Sequence, residues 1–111
     1  MAATALAIIV RFQFAGIHNW PGAPRDVDEE YLAYPHRHVF HVEGLKTVDH
    51  AERDIEFIAL KKVMQVYCDS HFAGPHTMSC ETMALRLLND FDLDSCRVLE
   101  DNENGAQVVR R

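Results

Sequence analysis

At 111 residues the chain has the length of a single domain, expected to span 1–111. Its 48% hydrophobic and 25% charged residues give the balance of an ordinary globular protein, and a net charge of −6 excludes the basic footprint of a general nucleic-acid binder. Three cysteines, Cys68, Cys80 and Cys96, have no CxxC spacing; the odd number argues against a secreted disulfide framework and points to a reducing cytoplasm.

The chain opens on an apolar run, Met1 to Val10, with no basic segment ahead of it and too little length to cross a bilayer. A buried first strand is the expected reading, with no membrane partner. Over Ala5 to His18 the apolar Ile8, Val10, Phe12 and Phe14 share one parity with Gly16, while Arg11 and Gln13 take the other. That alternation belongs to a half-buried strand, and it carries His18 to the interior at the strand's end. Asn19-Trp20-Pro21-Gly22-Ala23-Pro24 is a turn-rich break. The acidic run Asp26-Val27-Asp28-Glu29-Glu30 reads as a solvated loop or short helix.

A second strand is expected from Pro35 to Leu45, with Gly44 as a bulge or the strand's end. Side chains alternate along a strand, so His36 and His38 share a face with Phe40 and Val42, and His41 points the other way. Two imidazoles on one face form half of a metal site. Catalytic zinc takes three protein ligands and keeps one position open. His18 is the candidate third ligand, because antiparallel pairing of the two strands would bring it to His36 and His38. The alternative is that these are ordinary surface or core histidines.

Asp54 is placed to cap a helix from Ile55 to about Cys68, with Phe57, Leu60, Met64 and Tyr67 as its apolar stripe. Asp69 to His76 reads as a loop. Ser79 is an N-cap for a second helix: Glu81 lies in the positive first turn, and Met78 and Met83 have staple spacing. Ala84, Leu87, Leu88 and Phe91 form the buried face of that helix. Cys96 to Glu100 and Gln107 to Arg110 are two short strands joined at Asn102-Glu103-Asn104-Gly105. The order ββααββ predicts an α+β domain, with both helices on one face of a four-stranded antiparallel sheet.

These residues resemble the 6-pyruvoyl-tetrahydropterin synthase and 6-carboxy-tetrahydropterin synthase family, from about Phe12 to Val109. Phe14-Ala15-Gly16-Ile17-His18 is similar to the family's Phe-x-x-x-His, and His36-Arg37-His38 to its His-Gly-His, with Arg in place of Gly. Ile55-Glu56-Phe57-Ile58-Ala59-Leu60-Lys61 looks like the opening of the family's first helix, and Ser79-Cys80-Glu81 like that of its second. Leu99-Glu100-Asp101 is similar to the segment whose Glu grips the pterin ring. A carboxylate suits that task, since its two oxygens accept from adjacent ring N–H and amino donors.

The resemblance implies the ββααββ tunnelling fold and Zn2+ held by His18, His36 and His38. It also implies a pterin-like small-molecule substrate met by Glu100, Ser79 and Glu56. Two departures stand out. The family's catalytic cysteine is absent near Leu32, and Ser70 stands where its relay histidine is usual, next to Asp69 and one residue before His71. Asp69, His71 and Glu30 are therefore the candidate acid–base residues. The implied activity is a zinc-dependent, lyase-like reaction of pterin or deazapurine (queuosine-type) biosynthesis on dihydroneopterin triphosphate or a relative. The alternative is an altered member that binds a pterin- or purine-like ligand without that reaction. By the same resemblance a homo-oligomer of two stacked trimers is expected, which would also cover the sheet's exposed edges.

Overall fold

The computed structural model describes residues 4–111. Met1 to Ala3, the start of the apolar run, lie outside the described residues. The elements are β1 (Leu6–His18), a 3-10 turn (Glu30–Ala33), β2 (His36–Val48), α1 (Phe57–His71), α2 (Cys80–Asp90), β3 (Ser95–Glu100) and β4 (Asn104–Val109). The strands form one antiparallel sheet in the order β1-β2-β3-β4. The expected α+β, ββααββ arrangement is the observed one.

The inward parity of β1 is the one the sequence predicts: Val10, Phe12, Phe14, Gly16 and His18 are buried and Arg11, Gln13 and Ala15 are exposed. α1 packs on β1, while α2 packs on β3 and β4. Between sheet and helices lie Phe12, Phe14, Phe40 and Val42 from the first two strands, with Met64, Cys68 and Phe72 against them. Met83, Ala84, Leu87, Leu88, Cys96 and Val98 complete the core.

Several boundaries differ from expectation. β2 does not end at Gly44; it runs to Val48 and pairs with β1 along its whole length. Gly44 is neither bulge nor terminus but a regular position opposite Val10 and Cys96, where a Cβ would press on Leu93, Val10 and Met64. α1 starts two residues later, because Glu56 rather than Asp54 caps it and accepts from the Ile58 and Ala59 amides. The Asp54 carboxylate instead accepts from the amide of Asp49. α1 also runs on to His71, so Asp69, Ser70 and His71 are helical rather than loop. Phe57, read as core, is 51% exposed, and the buried positions of α1 are Met64 and Cys68.

Ser79 caps α2 as expected, accepting from the Thr82 amide. The helix ends with Asp92 at φ 51° and the Leu93 amide returning to the Leu88 carbonyl, a Schellman-type stop made with Asp instead of Gly. The β3–β4 turn is centred on Asp101 and Asn102, both at positive φ, and the Glu103 amide donates to the Glu100 carbonyl. Its centre thus lies slightly earlier than the sequence suggested, and Gly105 sits inside β4 opposite Leu99.

Two stability predictions follow from this packing. A Cβ at Gly105 would sit 1.9 Å from the Val98 carbonyl oxygen and 2.7 Å from the Leu99 Cα. Gly105→Ala should therefore cost at least about 2 kcal/mol, read as a lower urea midpoint. Gly74→Ala, with nothing within 4 Å of its Cβ, should change the midpoint little; equal midpoints for the two variants would contradict the packing. The second prediction concerns Asp94, whose hydrogen bonds with Thr47 hold its carboxyl below the usual range. A lowered folded-state pKa gives stability that is present above the unfolded value, about 3.9, and lost as pH falls through the folded one. The midpoint gap between wild type and Asp94→Ala should be widest near neutrality and close below about pH 4. A gap that persists unchanged at pH 2 would contradict the assignment.

Candidate metal centre

The register of β1 and β2 pairs His18 with His36 directly and places His38 opposite Gly16. Three rings converge at that end of the sheet, with centroids 4.6 Å (His18–His36), 4.9 Å (His36–His38) and 5.4 Å (His18–His38) apart. One nitrogen from each falls within 4.8 Å of the other two, and among the described residues this is the one group so arranged for a metal ion.

Hydrogen bonding at the far side of each ring fixes its tautomer. His18 Nδ1 is 2.9 Å from the Met78 carbonyl oxygen, and His36 Nδ1 is 2.8 Å from that of Tyr34. A carbonyl only accepts, so each Nδ1 carries the proton and donates. His38 Nδ1 donates in the same way to Asp101, at 2.8 Å from Oδ2. In neutral rings all three Nε2 lone pairs are then free, as metal-ligating histidines held by an outer shell of acceptors require. His18 is only 8% exposed, and the Nε2 atoms of His18 and His38 are buried without a hydrogen-bond partner. An orphaned buried polar atom costs about 1–3 kcal/mol, so two of them facing one point fit an ion between them. The residues therefore fit a metal.

Glu100 joins them from β3. It pairs with Phe40, two residues beyond His38 on the same face. Its Oε2 lies 3.1 Å from His18 Nε2 and its Oε1 3.6 Å from His38 Nε2. The next residue, Asp101, holds both the His38 ring and the Val39 amide. The hydrogen bond from His38 keeps its carboxyl below the usual range. Sequence reasoning gave Asp101 no role. A turn residue has no periodicity to read, and only the closing of the hairpin against β2 brings it to His38.

His76, at the end of the segment read as a loop, organises the site from behind. Its backbone bridges β1 next to His18, taking the Asn19 amide and giving its own to Ile17. Its Nδ1 accepts from the Met78 amide and its Nε2–H donates to the Phe72 carbonyl. Both ring nitrogens are thus in use, which removes His76 as a ligand. Burial pushes its pKa down, in keeping with a neutral ring. One peptide unit, Met78, connects the two histidines: its amide is held by His76 and its carbonyl holds His18.

A cavity of about 480 Å³ opens beside the histidines, lined by His18, His36, Glu100, Ser79 and Glu81, with Trp20, Leu32 and Met78 as apolar walls. Of the substrate-binding candidates, Glu100 and Ser79 are here. Glu56 is not: it caps α1 at the other end of the sheet, beside Leu6 and Val48. Of the acid–base candidates, none lines the cavity within one chain. Asp69 accepts from Gln65 one turn back on α1, and the His71 ring packs on Tyr67 at 4.2 Å. Glu30 is exposed, on the turn whose Leu32 forms a wall. Cys80 stands at the first turn of α2 and is buried. Burial and the neighbouring Glu100 and Glu81 push its thiol up to about 12. A second groove, of about 620 Å³, lies around Arg11, His41 and Arg97 on the sheet face turned from the core, away from the three histidines. No helix among the described residues is long and apolar enough to cross a membrane.

The outer shell generates a prediction. Asp101→Ala frees the His38 ring to rotate and should weaken zinc binding by about 10- to 100-fold, measured by competition with a chromophoric chelator. Unchanged affinity would remove Asp101 from the site.

Compared with models of known protein families the chain matches none, and a search of curated proteins returns no match.

Proposed function

We propose that this protein binds one zinc ion on His18, His36 and His38 and uses it to act on a pterin-like or related small molecule in the adjoining cavity. The observation that carries this reading is the convergence of three imidazoles, one nitrogen of each within 4.8 Å of the other two, whose rings are all held at Nδ1 by acceptors. Tetrahedral zinc is the natural occupant of three neutral imidazoles. When bound it supplies Lewis acidity to oxygens of a ligand, which eases loss of a neighbouring proton.

The chain's own residues account for binding and orientation. Trp20, Leu32 and Met78 offer apolar surface to a flat heterocycle, while Ser79 and Glu81 stand at the start of α2. That combination of apolar walls with a few polar groups is typical of a small-molecule site. The resemblance of Phe14 to His18, His36 to His38 and Leu99 to Asp101 to the pterin synthase family supports a pterin or deazapurine precursor, dihydroneopterin triphosphate or a close relative, and a lyase-like reaction. In that family sites are completed between subunits. Asp69 and His71, exposed on α1 and outside this chain's cavity, would serve as acid–base groups of a neighbouring copy's site in a homo-oligomer.

A second reading is favoured by a separate observation. The buried Cys80 thiol, raised to about 12, is no ready nucleophile or base, and the cavity holds no Asp–His pair. On this reading the protein holds the ligand at zinc without turning it over.

Incubation of the zinc-loaded protein with dihydroneopterin triphosphate, with products identified by mass and a metal-stripped control, separates the two. Zinc-dependent product is the expected result, and His71→Ala should then lower turnover at least about 100-fold if His71 is the base. Tight binding without product supports the second reading. Absence of both binding and product would overturn the pterin assignment.

A further inference from the structure

We propose that Glu100 is itself a ligand of the metal, so that the resting centre is three imidazoles and one carboxylate rather than three imidazoles and an open position. This rests on the three-histidine reading above and deepens it.

His18 and His38 spend their ring protons on Met78 and Asp101, so in the neutral rings each Nε2 presents a lone pair. Against those lone pairs the chain places not a donor but another acceptor, with Glu100 Oε2 3.1 Å from one and Oε1 3.6 Å from the other. Neither Nε2 has a hydrogen-bond partner, so a shared proton does not account for the approach. A cation between them does. Zinc–nitrogen and zinc–oxygen bonds of about 2.0–2.2 Å put two ligand atoms of a tetrahedron roughly 3.3 Å apart, and the 3.1 Å between Glu100 Oε2 and His18 Nε2 is close to such an edge.

The position is built rather than incidental. Pairing of Glu100 with Phe40 fixes its face, and the hairpin turn immediately after it is locked to β2 through Asp101. Glu100 and Asp101 thus act as neighbours with different tasks: one carboxylate meets the metal, the other orients His38. A ligand that uses the Glu100 carboxylate would have to draw it away from the metal, so binding there would also open the coordination sphere.

Cobalt(II) in place of zinc gives a direct readout, since its visible absorption follows ligand number and type. Wild type, Glu100→Gln and Glu100→Asp would be titrated with cobalt, then with azide. Glu103→Gln, on the hairpin turn, controls for loss of a nearby charge. The expected result is at least a 10-fold weaker cobalt affinity and a changed spectrum in both Glu100 variants but not in Glu103→Gln. Azide should also perturb the Glu100→Gln spectrum at lower concentration than wild type. Glu100→Asp keeps the charge but shortens the reach, so it separates coordination from simple electrostatic attraction. Wild-type affinity and spectrum in Glu100→Gln would overturn this proposal and leave the three-histidine centre standing. Absence of cobalt binding in folded wild type would overturn both.

Discussion

The long antiparallel ladder between β1 and β2 is the constraint on which the rest depends. It runs from Leu6 opposite Val48 to His18 opposite His36 without a break. Side chains alternate, so a slip of one residue would turn His36 and His38 to the other face and His41 inward. What forbids the slip is the core: Phe12 and Phe14 must face Val42 and Phe40, and the Phe14 and Phe40 rings stack at 5.2 Å. The same apolar contacts that stabilise the domain therefore fix the relative positions of the three histidines. The site carries little freedom of its own.

The helices complete it through backbone groups. Gly16 has no side chain, and a Cβ there would lie 2.6 Å from the Phe72 carbonyl and 3.0 Å from the Phe40 ring. Its absence lets the end of α1 close onto the sheet beside His38. The Phe72 carbonyl then takes the proton of His76, His76 takes the Met78 amide, and the Met78 carbonyl takes the proton of His18. A packing decision at one glycine is thereby passed to the tautomer of a candidate metal ligand, His18, three contacts away. Each ring is partnered at Nδ1, and the Nε2 atoms of His18 and His38 are buried without a hydrogen-bond partner, which is where an ion gains most.

Much of this was legible in the residues. Alternation in β1 announced its buried face, the His-x-His spacing its same-face pair, and Ser79 the start of α2. What was hidden is what tertiary contact decides. Gly44 reads as a strand breaker, yet its missing side chain makes room for Leu93 and Met64. Asp69, Ser70 and His71 are poor helix formers, but α1 continues through them because Cys68 and Phe72 are both buried against the sheet. Asp54 and Glu56 are both plausible caps, and only the geometry of the entering chain chooses between them. The roles of Asp101 and His76 were not legible, since they arise from a hairpin and a loop folding back onto β2 and β1. Glu100 was legible as a site residue, but its approach to the histidine nitrogens was not.

The register of β1 and β2 brings three imidazoles together at one point, where they are placed to hold one metal ion. X-ray absorption fine structure of the zinc-loaded protein tests it most directly. The expected result is one zinc per chain and outer-shell scattering from three imidazole rings, with oxygen as the remaining neighbour and no sulfur. A shell containing sulfur, or an ion surrounded mainly by water with no imidazole scattering, would contradict it.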